Sequence, residues 1–301
     1  MKPVRIGTRS SALAMWQAQW VQQSLSAIGL SSEIVPLESS GDNNLVQPIY
    51  EIGVVGVFTK ELDQALLHHE VDICVHSMKD VPTQLPDGIV EAFVPQRGPA
   101  GDVFVFRNKN WESLSQRRIA TSSLRRQAQW LFAYKKDTVV PLRGNLQTRL
   151  DKIQINNWDG AVFAQAGLER LSTDPVTYCP IDWMVPAPAQ GAIMVTTRED
   201  QTELLKKMRP LSHQPSRHCV HIERDFLRAL QGGCSAPIGA HTSIQNNRIL
   251  FRGCITEIDG SRHIEISEHF DPQTSDIGER AAQILRKAGG QSILSKLNYH
   301  E

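Results

Sequence analysis

Arginines recur where a short apolar segment gives way to a helix-like one. The runs Gly7-Thr8-Arg9-Ser10-Ser11, Thr121-Ser122-Ser123-Leu124-Arg125-Arg126 and Leu142-Arg143-Gly144-Asn145 occupy such turns, Arg149 lies in the helix after the third, and Arg170 follows the next strand. In a parallel sheet the C-terminal ends of strands and the N-termini of helices converge on one edge. Free helix N–H groups there attract anions, and a guanidinium grips a carboxylate through two parallel hydrogen bonds. A single such arginine is equally well explained as solvated surface. Several at successive turns predict a cleft for a small molecule bearing carboxylates or phosphates.

Two further stretches could carry chemistry. His76-Ser77-Met78-Lys79-Asp80-Val81-Pro82 directly follows an apolar segment. A carboxylate at such a turn can protonate a leaving amine and then stabilise a cation, with Lys79 anchoring anions beside it. An ordinary loop salt bridge is the plainer account of these residues taken alone. In Gln231-Gly232-Gly233-Cys234-Ser235-Ala236-Pro237 the glycines let the backbone turn sharply and present a thiol, as nucleophile or as attachment point. A small buried residue is the commoner fate of a free cysteine. His218-Cys219-Val220-His221 offers possible metal ligands at what reads as a helix start, but no second pair stands at structural-zinc spacing, so no metal is expected.

The elements that must position these residues alternate. Strands are expected at 4–8, 33–37, 71–75, 103–106, 119–120, 138–142 and 160–164, and helices at 12–28, 58–68, 122–133 and 145–153. Leu124, Ala128, Leu131 and Phe132 would form the inner face of the third helix. This order predicts βαβ units and a largely parallel sheet. A faint internal echo, Gln17-Ala18-Gln19-Trp20 against Gln127-Ala128-Gln129-Trp130 with Ile6-Gly7-Thr8 against Ile119-Ala120-Thr121, favours two similar lobes. The Pro-rich Met184-Val185-Pro186-Ala187-Pro188 then crosses back, and 192–196 returns as a strand to the first lobe. Beyond that come a helix at 219–230, three strands at 238–243, 249–256 and 263–270, and a last helix at 276–288 ending at Gly289-Gly290.

Composition narrows the function. The chain has 301 residues, enough for two or three domains, and 32 basic side chains balance 32 acidic ones. That balance argues against a nucleic-acid or membrane-surface role, both of which normally need a basic excess. Five cysteines without a CxxC pair read as reduced thiols of a cytoplasmic protein. The first residues carry no charged segment followed by an apolar stretch, so no secretory signal is expected.

With these stretches in view, the chain resembles the porphobilinogen deaminase (hydroxymethylbilane synthase) family. Ile6-Gly7-Thr8-Arg9-Ser10, His76 to Pro82, Thr121 to Gln127, Leu142-Arg143-Gly144-Asn145, Ala166-Gly167-Leu168, Gln190-Gly191-Ala192 and Gly232-Gly233-Cys234 occur in the family's order over nearly the whole length. The resemblance implies an α/β fold: two similar lobes like those of type II periplasmic binding proteins, plus a small α+β C-terminal domain. Residues 1–95 with 190–209 would form a discontinuous first lobe, 97–188 the second, and 212–301 the domain carrying the cofactor cysteine. It also implies a transferase that adds four porphobilinogen units, with loss of ammonia, to a dipyrromethane held by a thioether to Cys234. Asp80 would be catalytic. Lys79, Ser77, Thr121, Ser122, Ser123, Arg125, Arg126, Arg143 and Gly144 would bind the cofactor; Arg9, Ser11, Arg149, Arg170 and Gln190 would bind substrate. The same resemblance suggests a monomer whose product passes to uroporphyrinogen-III synthase.

The chain departs from the family pattern in places. Glu51 and Val55 stand where lysines are usual, Gly101 where an arginine commonly precedes Asp102, Ala189 where Gly precedes Gln-Gly-Ala, and Gln231 and Ser235 where Glu and Gln flank the cofactor loop. The rival reading is a non-catalytic two-lobed binding protein for a small polycarboxylate. Such a protein would use the anion cleft but would have no use for Asp80 or Cys234.

Overall fold

Strand β1 (Val4–Arg9) runs into Ser11, whose hydroxyl accepts a hydrogen bond from the Ala14 N–H and so starts helix α1 (Ala12–Ala27). Helix α1 stops where Gly29, at φ 77°, lets the Gly29 and Leu30 N–H groups reach back to Ser26 and Leu25. In this computed structural model residues 2–38, 59–171, 177–231 and 236–297 are described. Glu51 and Val55, and the loop carrying Cys234, lie outside them.

β1 pairs in parallel with β2 (Ser32–Leu37) and β3 (Ile73–Ser77), with α2 (Lys60–Leu67) preceding β3. β10 (Ile193–Arg198) lies antiparallel between β3 and β4 (Ile89–Phe93), giving the order β2-β1-β3-β10-β4. The second sheet repeats this plan strand for strand. β6 (Arg118–Ala120) pairs in parallel with β7 (Thr138–Val140) and β8 (Gly160–Ala164), while β5 (Asp102–Phe106) lies antiparallel between β8 and β9 (Tyr178–Pro180). Two similar α/β lobes are therefore present. Their sheets are mixed rather than largely parallel, because each crossing of the chain delivers one reversed strand, β5 or β10, into the other lobe.

In the second lobe α3 (Leu124–Ala133) is capped by Ser123 and α4 (Leu146–Ile155) by Asn145, both directly after parallel strands; α5 (Gln165–Leu171) follows β8. The sequence echo falls on matching elements, α1 and α3. The inner face of α3 differs from expectation. Arg125, Arg126, Ala128, Gln129 and Trp130 are buried, whereas Phe132 is exposed and stacks on His263. The polar groups can be buried because hydrogen-bond partners lie beneath them: Asp102 for the arginines and the Val185 backbone for Gln129.

Helices α6 (Thr202–Met208) and α7 (Gln214–Ala229) lead to an antiparallel sheet of β11 (Ile238–Gln245), β12 (Arg248–Thr256) and β13 (His263–Phe270), covered by α7 and α8 (Ile277–Leu285). Its core holds Phe226, Phe251, Ile255 and Leu285. α7 starts earlier than expected, since His213 accepts from the Ser216 N–H, so His218-Cys219-Val220-His221 sits mid-helix; His221 pairs with Glu91 at 2.9 Å. Nor does the chain end its helical course at Gly289: that residue turns at φ 108° and α9 (Gln291–Leu297) follows.

Candidate active site

The turn Met78–Asp80 leaves the C-terminal end of β3 and is braced from the C-terminal unit. Arg224 of α7 donates to the carbonyls of Met78 at 3.3 Å and Val81 at 2.9 Å, and Val220 of the same helix packs with Met78, Val81 and Ala189. The turn therefore presents Lys79 and Asp80 from a fixed backbone. Ser77 exchanges hydrogen bonds with Gln17 at 3.0 and 3.3 Å. His76 is buried against Thr196 at 3.1 Å, and burial lowers its ring to about 4, leaving it neutral near pH 7.

Across the interlobe space, Asp102 at the start of β5 is fully buried and gathers three side chains. Arg125 reaches its Oδ2 at 2.7 Å, Arg126 its Oδ1 at 3.0 and 2.7 Å, and Gln190 its Oδ1 at 3.0 Å. Arg125 also donates to the Val185 carbonyl at 2.8 Å and Arg126 to that of Val162 at 3.0 Å. The Gln190 amide nitrogen contacts the carbonyls of Ala100 and Gly101, and its oxygen accepts from Lys79 Nζ at 3.4 Å. Gln190 thus ties the lysine of the first lobe to the carboxylate that holds the arginines of the second.

The small polar residues order the adjoining loops. Ser122 Oγ donates to the Leu142 carbonyl at 3.0 Å and accepts the Leu142 N–H at 2.9 Å; Thr121 Oγ1 accepts the Ser123 N–H at 3.2 Å. Gly144, at φ 112°, turns its carbonyl onto Arg149 Nε at 2.7 Å.

The electrostatics are those of an anion site. Burial lowers Arg149 to about 10, and the neighbouring cations Arg126, Arg143 and Arg9 push the same way, with only Asp80 opposing them. Burial likewise lowers Lys79 to about 8, against Asp80, and Arg126 is lowered by burial too. Lys79 of the first lobe and Arg126 and Arg149 of the second thus all feel the Asp80 charge, and bound anions would offset the cost of burying these cations together. Arg170 stands apart: it donates to the Gly191 carbonyl at 2.6 Å, and the charge that acts on it is Glu169.

Asp102 emerges here as the organiser of the paired arginines; the one signal in the sequence was an acid opening the apolar run Val103-Phe104-Val105-Phe106. A second organiser left no local signal. Glu223, fully buried on α7, accepts from both terminal nitrogens of Arg97 at 2.7 and 2.9 Å and from the N–H groups of Ala189 and Thr242 at 2.7 Å each. It joins the segment entering the second lobe, the segment leaving it and the C-terminal sheet. The buried cysteines are poor nucleophiles: burial raises Cys254 to about 12 and Cys219 to about 11, and pushes Cys74 up as well.

Residues 4–206 match a family profile described as porphobilinogen deaminase, dipyromethane cofactor binding domain, and residues 217–287 match porphobilinogen deaminase, C-terminal domain. A porphobilinogen deaminase of Pelotomaculum thermopropionicum is 41% identical over 308 residues, covering 100% of this chain and 98% of the relative. One of Desulforudis audaxviator is 41% identical over 304 residues, covering 98% of each. Among solved structures, an ABC transporter periplasmic substrate-binding protein from Coxiella burnetii aligns at TM-score 0.43 and 17% identity, covering 71% of this chain and 93% of that one.

Proposed function

The chain belongs to the porphobilinogen deaminase family, and from that premise we propose that it condenses four porphobilinogen molecules head to tail, with loss of ammonia, and releases hydroxymethylbilane. The cofactor is dipyrromethane. The crowded cations fit it, since Lys79, Arg125, Arg126, Arg143 and Arg149 offer more positive charge than Asp80 and Asp102 neutralise, and the acetate and propionate groups of linked pyrroles supply the missing anions. When bound, it supplies the free pyrrole carbon to which the first unit adds. Cys234 is the attachment point in this reading, and the raised thiols of Cys74, Cys219 and Cys254 favour that choice.

The observation that carries the reading is Asp80, a carboxylate fixed by Arg224's grip on its turn and set among cations from both lobes. There it donates a proton to the departing amine and then, as carboxylate, steadies the positive charge left on the methylene carbon. The arginines and Lys79 hold the carboxylates of reactant and growing chain. Ser77, Thr121, Ser122, Ser123 and Gly144 shape the loops for the cofactor; Arg9, Ser11 and Gln190 serve the substrate side, Gln190 through Lys79 and Asp102. The lobes divide at 1–95 with 190–209 and at 97–188, with 212–301 as the third unit. The protein acts as a cytoplasmic monomer and hands its product to uroporphyrinogen-III synthase.

Two measurements on the purified protein test this together: turnover of porphobilinogen, and peptide mapping by mass spectrometry. The expected result is a dipyrromethane adduct confined to the Cys234 peptide. Active protein with an unmodified Cys234 overturns the attachment, and cofactor-loaded protein that leaves porphobilinogen unchanged overturns the activity.

A further inference from the structure

Arg170 lies at the crossing of the two segments that join the lobes. Its Nη2 donates to the Gly191 carbonyl at 2.6 Å, and that carbonyl also accepts the Gly98 N–H at 3.2 Å. The fit is close, for a Cβ at Gly98 would stand 3.1 Å from Arg170 Nη2. The guanidinium carbon lies 5.5 Å from the ring centre of Trp16. Arg170 belongs to α5 of the second lobe and Trp16 to α1 of the first, so this contact spans the lobes directly. A Cβ at Gly167 would meet Leu13 at 3.9 Å, which places the two helices side by side.

We propose that Trp16 is a positioning residue for the condensation: through Arg170 it fixes the spacing of the two lobes, and with it the distance between the cations each lobe offers to one polyanionic reactant. The proposal rests on the family reading of the cleft but concerns a residue outside it. The partly buried cation meets an aromatic face on one side and a shared carbonyl on the other. Burial lowers the Arg170 guanidinium, and the Glu169 charge opposes this only in part. A cation over an aromatic face is attracted more strongly when desolvated. Releasing it admits wider spacings in which Arg9 of the first lobe and Arg149 of the second no longer act on the same molecule. Apparent affinity then falls by the fraction of molecules that remain correctly spaced, while chemistry within that fraction is unchanged.

The test compares Trp16→Leu, which keeps an apolar side chain without a π face, with Trp16→Phe, which keeps a π face. In cofactor-loaded protein Trp16→Leu is expected to raise KM for porphobilinogen by about threefold to tenfold, with kcat altered by less than about twofold. Trp16→Phe should recover most of the loss. In ligand-free protein, hydrogen exchange at the Gly98 amide should quicken in Trp16→Leu and in Arg170→Lys, which lacks the planar fork. Equal KM in the Leu and Phe variants, or wild-type exchange at Gly98 in Trp16→Leu, overturns the proposal. Should Trp16→Leu fail to fold, exchange in Trp16→Phe and Arg170→Lys decides it: unchanged Gly98 protection in both overturns the proposal. The exchange measurement needs no turnover, so it separates failure of this idea from failure of the assigned reaction.

Discussion

Asp102 accepts two hydrogen bonds from Arg126 on a single oxygen, at 3.0 and 2.7 Å, while its other oxygen takes Arg125 at 2.7 Å. One carboxylate thus supports two guanidiniums that have almost no access to water. Removing its charge leaves both uncompensated. Breaking a buried pair of this kind costs about 3–5 kcal/mol, so Asp102→Asn should lower the urea midpoint well beyond an exposed Asp→Asn control. Burial pushes the Asp102 carboxyl up, but Arg125, Arg126 and Gln190 outweigh it and hold the group well below the carboxylate range. A lowered carboxyl stabilises the fold above its unfolded value, about 3.9, and that contribution is lost as pH falls toward the folded value. The deficit of Asp102→Asn should therefore be full at neutral pH and shrink below about pH 4. A deficit independent of pH would assign the effect to packing.

The strand–helix order was legible in the sequence because it is local, whereas Ser123 and Asn145, read as lying within helices that start at 122 and 145, turn out to cap them. The reversed strands β5 and β10 were not legible, because direction depends on which lobe a segment enters. The same limit applied to the site. Arginines at strand ends announced an anion cleft, yet the partners that bury Arg125, Arg126 and Arg97 lie 23, 24 and 126 residues away. Periodicity read α3 as apolar on the side of Phe132, whereas charge pairing buries the side of Arg125 and Arg126.

Ala189 and Gly191 flank Gln190 with positive φ values of 59° and 85°. Ala189 occupies the position where the family usually has Gly, and left-handed backbone costs an L-residue roughly 1–2 kcal/mol. Ala189→Gly relieves that cost but gives up a buried methyl, about 0.8 kcal/mol, and adds freedom to the unfolded chain, about 0.4–1 kcal/mol. The terms nearly cancel, so its thermal midpoint should stay within a few degrees of wild type. Gly191→Ala should behave differently, since its Cβ would lie 2.5 Å from the Pro99 carbonyl oxygen and 2.7 Å from that of Gly98. Calorimetry of the two variants checks the contrast, and a stable Gly191→Ala protein would show that the crossing segments yield easily.

In the proposed reaction Asp80 both gives up a proton and holds a cation. Asp80→Asn retains shape but can do neither, so turnover with preformed cofactor should fall by at least about a hundredfold while circular dichroism is unchanged. Asp80→Glu keeps the carboxylate and displaces it by one methylene, so it should retain partial activity. Near-wild-type turnover in Asp80→Asn would remove Asp80 from the chemistry.

Lys79 is the cation of the site with the lowest titration range among the described residues, because burial lowers its ammonium from 10.5 to about 8 even though Asp80 favours the charge. In the unfolded chain it titrates at about 10.4, so between about pH 8 and 10.4 the unfolded state holds more protons and this residue makes stability rise with pH. Below about pH 8 both states are charged and the full cost of burying the ammonium remains. Lys79→Met removes that cost. The variant should be more stable than wild type at pH 7, and its advantage should narrow as pH approaches 10. Binding runs the other way. A bound carboxylate favours the charged lysine, so association takes up a proton, and wild-type kcat/KM for porphobilinogen should decline as pH rises through about 8. Lys79→Met should be weaker throughout but should lack that part of the decline. Parallel denaturation and kinetic series from pH 7 to about pH 9.5 separate the two effects. If the Met variant keeps both the wild-type stability slope and the wild-type decline, the titrating group lies elsewhere, and the grip of Gln190 on Lys79 serves only to hold the loop.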